Sequence, residues 1–407
     1  MKRHTPLYFL IFCLLAACSP HATPFTPNNP ALVGEKTISY QEKKTYAFDA
    51  ISFDNQFDGA RMNDCKELAE GSYEIRILPE NTPINSSPWF GFRMVSKQRG
   101  PIQITLNYQD VKHRYLPKYS VDGKHWQSID AETVVLNHDS TEASFSFILE
   151  SDTSWLAAQE ITPSSAVRTW CQQQATHTSV SFANCGASRL GRNIPCLDIA
   201  AGEKGKPIFV IISRQHPPEV TGYLAMQSFV ERLLKEDALA KAFRDKYRTL
   251  VFPLMNPDGV DLGHWRHGAA GVDSNRDWGT YIQPEVRQIA DRIVRIAKKS
   301  KADVHLGMDF HSTWYDIYYT NDVDPKTQVL GNFSRDWLDQ IESRMGEDCC
   351  KERASKPSRA MVSKNWFYNQ FKAVGITYEI GDETPRDLIK TKGAVSAEEM
   401  MRILIKK

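Results

Sequence analysis

The run Pro207-Ile208-Phe209-Val210-Ile211-Ile212 constrains the fold of this chain more than any other stretch, because an unbroken apolar run of strand length has to be buried on both faces. It breaks into Ser213-Arg214-Gln215-His216-Pro217-Pro218-Glu219, and from Val220 to Lys235 the residues Leu224, Phe229 and Leu233 recur at helical spacing. A buried parallel strand that turns through a loop into a helix puts its polar residues at the strand's carboxyl end, where open α/β sheets hold their ligands. His216 and Glu219, three apart at that turn, can form half of a metal site, which needs a further ligand from elsewhere in the chain. Taken alone, the pair suits an ordinary polar loop better than a metal site.

The same texture continues beyond about Arg168. Apolar runs at Ile208 to Ser213, Thr249 to Met255, Val304 to Phe310 and Val374 to Ile380 alternate with helical periods at Val220 to Lys235, Glu285 to Lys299, Val329 to Met345 and Val395 to Lys406. That alternation predicts an α/β domain, a mostly parallel or mixed sheet flanked by helices, over residues 166–407. His311 follows the strand that ends at Phe310, the same kind of position as His216, so the two imidazoles can meet. His305 lies inside that strand and reads as a packed or surface residue. His264 and His267 flank Trp265-Arg266 in a loop, and spacing does not exclude either from the site.

Residues 37–165 have a different pattern: short alternating runs separated by turn residues, with no useful helical period. Tyr73 to Leu78, Trp89 to Val95, Ile102 to Tyr108, Thr133 to Leu136 and Ala143 to Leu149 read as strands, and Asp122-Gly123 marks a hairpin between Tyr119-Ser120-Val121 and His125-Trp126. This predicts an antiparallel β-sandwich preceding the α/β domain. Trp89, Phe90, Phe92, Tyr108 and Trp126 suit either its core or a carbohydrate platform. No catalytic constellation is visible there.

At the amino end, Lys2, Arg3 and His4 precede the apolar Leu7 to Leu15, and Leu15-Ala16-Ala17-Cys18 closes the segment in a way that resembles a bacterial lipobox. Residues 1–18 are therefore expected to be a leader, with Cys18 lipidated and the protein attached to the outer membrane facing the periplasm; an ordinary secretory leader with an incidental cysteine is the alternative. Residues 19–36, rich in proline, threonine and asparagine, read as an extended tether. Of the eight cysteines, Cys13 leaves with the leader and Cys18 goes to lipid, so Cys65, Cys171, Cys185, Cys196, Cys349 and Cys350 remain for an oxidising compartment. Cys185 and Cys196 flank a glycine-bearing turn and suit a local bridge, while the adjacent Cys349 and Cys350 suit separate partners. A formal charge of +1 excludes nucleic acid as the main partner, since phosphate binding needs a concentrated basic face.

Between the first two candidate ligands and His311 lie Asn256-Pro257-Asp258-Gly259, then Trp265-Arg266, then Asp273-Ser274-Asn275-Arg276-Asp277-Trp278. Taken with His216-x-x-Glu219, the strand-ending His311 and Ile376-Thr377-Tyr378-Glu379, this ordered set resembles the zinc metallocarboxypeptidase family. The resemblance implies one Zn²⁺ on His216, Glu219 and His311, the ligand set long established for carboxypeptidase A. It further implies Asp273 as the carboxylate behind His216, Arg266 as the oxyanion stabiliser, Asn275 and Arg276 as the clamp on the substrate's terminal carboxylate, and Glu379 as the general base. The activity it implies is hydrolysis of carboxyl-terminal peptide bonds.

Digestive members of the family carry a mobile tyrosine upstream of the catalytic glutamate, but no tyrosine occurs here between Tyr319 and Tyr368, so that position is not carried over. Ser363 to Gln370 resembles the segment that sets side-chain specificity. Lys364 there, or Arg359 if the loop aligns differently, implies a preference for acidic terminal residues by charge complementarity. The sandwich, with Tyr119 to Trp126, looks like the cytosolic-carboxypeptidase branch, whose eukaryotic members trim glutamates from tubulin; cell-wall peptides suit an exported protein better. Two other readings are a zinc deacylase or amidase on the same scaffold, acting on small molecules or cell-wall peptides, and a non-catalytic binding lipoprotein.

Overall fold

A computed structural model describes residues 21–24, 34–200, 204–347, 349–358 and 361–407. The leader with Cys18 and the specificity candidate Arg359 lie outside them. The run that organises the sequence is the strand Ile208–Ser213, all of it buried, and it is the fourth strand of an eight-stranded sheet. In order across that sheet come Val180–Ala187, Asn193–Ile199, Arg248–Phe252, Ile208–Ser213, Val304–Thr313, Val374–Gly381, Ile317–Asn321 and Glu352–Ser355. The strands around Ile208–Ser213 are parallel: Ile211 aligns with Val251 on one side and with Met308 on the other, and Met308 aligns with Ile376 beyond. The added strands that pair antiparallel make the sheet mixed.

Helices cover both faces, which is why the central strands carry apolar residues without alternation. Val220–Leu233 and Arg386–Leu404 pack with Phe209, Ile211, Phe310 and Tyr378 on one face. Pro284–Ser300 and Ser363–Phe371 pack with Ile208, Val210 and Ile212 on the other. The helix expected from Val329 begins at Phe333 because Gly331 takes a φ of 62°, a left-handed turn that a helix cannot pass through. The last helix begins at Arg386 instead of Val395: in its first turns the large apolar residues are the exposed Leu388 and the buried Ile389, adjacent to each other, so no helical period shows in the sequence. The hairpin Val180–Ala187/Asn193–Ile199, the strand Ile317–Asn321 and the edge strand Glu352–Ser355 beyond it, and the helices Ser164–Gln174, Ala238–Lys246 and Ser363–Phe371 had no periodic signal strong enough to predict.

The amino-terminal region is a sandwich of a six-stranded and a five-stranded sheet. All pairs are antiparallel except Ser72–Arg76 with Gln103–Asn107, which run parallel because the intervening strand Gly91–Ser96 belongs to the opposite sheet. The segment read as the strand Thr133 to Leu136 is a 3₁₀ turn at Ala131–Thr133 followed by the two-residue strand Val135–Leu136. The Asp122-Gly123 hairpin joins Lys118–Ser120 to Gln127–Ser128. Trp89, Phe90, Phe92 and Tyr108 are buried in the core between the sheets, which removes the carbohydrate platform they were a candidate for.

The sandwich and the α/β region share a core. Trp265 and Val220, both from the α/β region, are fully buried among the sandwich residues Phe90, Phe92 and Tyr115, and Trp265 Nε1 donates to the Trp89 carbonyl at 3.1 Å. An apolar interface of this kind holds two regions as one body. The tether is not free along its whole length: the Ala22 amide donates to Asp291 at 2.8 Å, and the Thr23 amide donates to Gln370 at 3.2 Å. The Cys185 and Cys196 thiols face each other across the first hairpin of the large sheet, unbridged here. Those of Cys349 and Cys350, expected to reach different partners, lie against each other.

Candidate metal centre and its surroundings

The turn after Ile208–Ser213 is forced by its residues. Arg214 adopts a φ of 53°, a left-handed conformation that ends the strand. Pro217 and Pro218 lack amide protons and form the middle of a turn, closed by the Glu219 amide donating to the His216 carbonyl at 3.3 Å, that brings Glu219 to the N-cap of the helix Val220–Leu233. The Met255 and Asn256 amides donate to the Ser213 and Arg214 carbonyls at 3.1 and 3.2 Å and tie the turn to the loop after the neighbouring strand. Glu219 makes no side-chain cap to its own helix, so its carboxylate is left to face inward. Gly222, one turn along, lies where a Cβ would come within 2.2 Å of the His311 carbonyl oxygen. Only glycine lets this helix approach the strand that carries His311 so closely.

The three expected ligands converge. His216 Nδ1 lies 2.7 Å from Glu219 Oε1, and His311 Nδ1 lies 2.6 Å from Glu219 Oε2. One donor atom from each residue lies within 4.8 Å of the others, and all three residues are buried. The far nitrogen of each ring is held by a carboxylate: His216 Nε2 by Asp273 at 2.9 Å and His311 Nε2 by Asp309 at 2.7 Å. Burial alone would raise the proton affinity of Glu219, but the two imidazoles bring it well below the ordinary carboxylate range. For His311 the balance has the opposite sign: burial lowers its proton affinity, while Asp309 and Glu219 raise it well above the usual value.

Asp309 was missed in the sequence. It sits two residues before His311 in one strand and so shares its face, and a carboxylate in an otherwise apolar strand was the available signal. Gln215 Nε2 and the Ser363 hydroxyl both donate to Asp309 Oδ2, the former at 2.6 Å. Trp278 Nε1 in turn donates to Gln215 Oε1 at 2.8 Å.

Arg266 is buried against Asp273, with Nε donating to Oδ2 at 2.7 Å. Desolvation would weaken its hold on its proton, but the field of Asp273, with Glu219 and Glu379 adding to it, raises that affinity, so the guanidinium is a fixed positive charge. Its loop is held from the sandwich: Glu80, fully buried, accepts the amides of Trp265, Arg266 and His267 at 2.7, 3.0 and 2.7 Å. No sequence signal marks Glu80, since its partners are about half the chain away. His264 and His267 are not ligands. His264 Nδ1 lies 2.9 Å from the His267 carbonyl, and His267 Nδ1 lies 2.8 Å from Asn81 Oδ1. His305 packs against Tyr247, with its Nδ1 3.1 Å from the hydroxyl.

Glu379 is brought to the centre by strand register. It pairs directly with His311 in the parallel ladder, so both side chains leave the same face of the sheet. Its Oε2 is buried and has no hydrogen-bond partner among the described residues. Burial raises its proton affinity to a pKa of about 7, with His311 opposing that shift and Glu219 adding to it.

Asn275 and Arg276 lie on the same side. Asn275 Nδ2 is 3.3 Å from His311 Nε2 and its Oδ1 accepts the Ser363 amide at 2.9 Å, so the Asn275 side chain is engaged by the protein itself. The half-buried Arg276 donates from Nη1 to the Asn275 carbonyl at 2.8 Å.

Lys364, next to Ser363 in the helix Ser363–Phe371, does not reach the metal ligands. Its buried ammonium donates to the Thr320 carbonyl at 2.7 Å and to Asn321 Oδ1 and Ser355 Oγ at 3.0 Å each. Burial lowers its pKa to about 8, and among the described residues no carboxylate pairs with it. Tyr319, on the strand Ile317–Asn321 beside Val374–Gly381, pairs with Thr377 two residues before Glu379 and feels the Glu379 charge.

A model of the zinc carboxypeptidase family matches residues 167–396. An uncharacterised protein of Zymomonas mobilis is 32% identical over 137 residues, 33% of this chain and 35% of its own length. Cytosolic carboxypeptidase 6 of Mus musculus is 22% identical over 312 residues, 70% of this chain and 56% of its own length. The chain thus spans between about a third and somewhat over half of these relatives. Among solved structures, a metallo-carboxypeptidase of Burkholderia cenocepacia superposes with a TM-score of 0.74 at 18% identity, over 87% of this chain and 99% of that one. A metallo-carboxypeptidase of Pseudomonas aeruginosa superposes with a TM-score of 0.69 at 18% identity, over 86% and 98%. These two coverages extend through the sandwich as well as the α/β region.

Proposed function

This chain belongs to the zinc carboxypeptidase family, and from that premise we propose that it hydrolyses carboxyl-terminal peptide bonds, with a preference for acidic terminal residues. The observation that carries this reading is the convergence of His216, Glu219 and His311 beside an unpartnered Glu379 oxygen. The donor set fits zinc: two neutral-capable imidazoles and one carboxylate, with each ring's second nitrogen already held by Asp273 or Asp309 and so oriented for its role. When bound, zinc supplies Lewis acidity and an open coordination position.

The remaining steps belong to the protein. Glu379, with a proton affinity near neutrality, accepts a proton from the attacking water and returns it to the leaving amine. Arg266 places fixed positive charge where the carbonyl oxygen becomes negative. Arg276, planar and half-exposed, offers a bidentate contact to the substrate's terminal carboxylate, with Asn275 beside it. Lys364 offers an ammonium with no carboxylate of its own to an acidic side chain. In the chain as synthesised, Cys18 carries the lipid anchor, and envelope peptides with free carboxylates are the substrates within reach.

Purified protein, assayed with peptides that vary only in the last residue and alongside muropeptides, tests this reading. Bound zinc with faster release of terminal Glu or Asp than of Leu or Lys is the expected result. A Glu379→Gln variant should retain zinc and lose activity by roughly 10²- to 10⁴-fold; unchanged hydrolysis in that variant would remove Glu379 as the base.

A further inference from the structure

We propose that Glu80 of the sandwich is a positioning residue for the reaction, acting through Arg266, so that the sandwich is part of the catalytic apparatus. The inference rests on the oxyanion role given to Arg266. Three consecutive amides, those of Trp265, Arg266 and His267, point at one carboxylate and bond it at 2.7, 3.0 and 2.7 Å. Successive amides turned to one side form a concave anion site, here filled by a side chain from the other region of the molecule. The Arg266 amide nitrogen, bonded to the Cα that carries the side chain, is therefore held from the sandwich, while the guanidinium is held by Asp273.

The surroundings make this anchor stiff. Glu80 is fully buried and so is Arg61, whose field it shares. The Ser39 amide donates to the Glu80 carbonyl at 2.7 Å, and Asn81 holds His267. On the far side of the same interface the Trp265 ring is locked in the sandwich core. Arg266 thus stands between two carboxylates with different tasks. Asp273 links the guanidinium to the ring of His216, and Glu80 fixes the loop that aims it. A displacement of that loop by an ångström is enough to cost a catalytic group about 100-fold in rate.

The test is a double-mutant cycle in the full mature protein, read by single-turnover kinetics, zinc content and melting temperature. Glu80→Gln places an amide NH₂ against the Trp265 amide and removes the charge; Glu80→Asp keeps the charge on a shorter arm and guards against a variant that fails to fold. The expected result is a fall in kcat of about 10- to 100-fold for Glu80→Gln, with KM and zinc content unchanged. Glu80→Asp should lose less. In an Arg266→Ala background the Glu80→Gln change should cost less than about 2-fold, because the group it positions is already gone. Equal losses in both backgrounds, a rise in KM alone, or no loss in either would overturn the inference. If Arg266→Ala alone keeps full kcat, the oxyanion role itself fails, an outcome distinct from an impaired Arg266→Ala on which Glu80→Gln remains additive.

Discussion

Two buried cations, some fifty residues on either side of His311, are held in opposite ways. Arg266 lies in the metal pocket, where charges face opposite charges: Asp273 binds its Nε, Asp273 and Asp309 hold the two imidazoles, and Glu219 faces both rings. Lys364 is buried beside the strands Ile317–Asn321 and Glu352–Ser355, where a carbonyl, an amide oxygen and a hydroxyl are its acceptors. The first arrangement raises the proton affinity of its cation and the second lowers it. A charge neutralised by its own protein is a fixed tool. A charge buried among neutral acceptors is an incomplete pair that a substrate carboxylate can complete.

The sharpest way to break this contrast is to empty the metal pocket. Chelation, or a His311→Ala substitution, should abolish hydrolysis, and added zinc should restore it to the chelated parent but not to the variant; restoration of the variant would mean that His311 is not a ligand. Next in size is the response of the two cations to removal. Arg266→Met removes the guanidinium from the buried Asp273, leaving it to His216 and the Asn275 amide, and should cost about 3 kcal/mol of stability, with a fall in kcat of roughly 10²- to 10³-fold. Lys364→Met should change stability by no more than about 1 kcal/mol, since it removes a desolvated charge together with its hydrogen bonds. Denaturant melts of the two variants side by side decide this, and a larger loss at Lys364 would reverse the comparison.

A smaller effect lies in selectivity. Lys364→Met should reduce the advantage of peptides ending in Glu over those ending in Leu by roughly 30-fold, about 2 kcal/mol, while hydrolysis of the Leu peptide is retained. The smallest is a dependence on pH. Below a pH of about 8 Lys364 is charged in the free protein, so the acidic preference measured as kcat/KM should be full there and fall as pH rises through 8. The accompanying stability change has the opposite direction. The folded state holds this proton less tightly than the unfolded chain, so the Lys364 contribution to stability rises from a pH of about 8 towards the ordinary lysine pKa of 10.5 and is flat below. A preference that persists unchanged at pH 10 would place the selectivity elsewhere, with Arg359 the first residue to test.

The two regions also differ in how legible they were. The parallel strands at the centre announced themselves because burial on both faces leaves no polar alternation, and His216 and His311 were found because strand ends in such sheets converge. The strand Ile317–Asn321 and the edge strand Glu352–Ser355, which frame Lys364, are short, the second of them exposed along its length, and carry little pattern. Lys364 was picked out because Ser363 to Gln370 resembles the segment that sets side-chain specificity, yet that its acceptors among the described residues are neutral was visible only once Thr320, Asn321 and Ser355 were seen around it. Asp309 could have been found by the two-residue period of its strand. Glu80 could not.

The sequence by itself determined the α/β sheet, the sandwich ahead of it, and the order of the residues around one metal centre, because each follows from local rules: apolar period, turn residues and spacing along a strand or loop. Tertiary structure alone decided that Asp309 stands behind the ring of His311, that Glu379 pairs with His311 across the parallel ladder, and that the sandwich reaches into the site through Glu80. Those are contacts between elements far apart in the chain, set by strand register and by packing of a shared core, and neither leaves a periodic trace in the residues that make them.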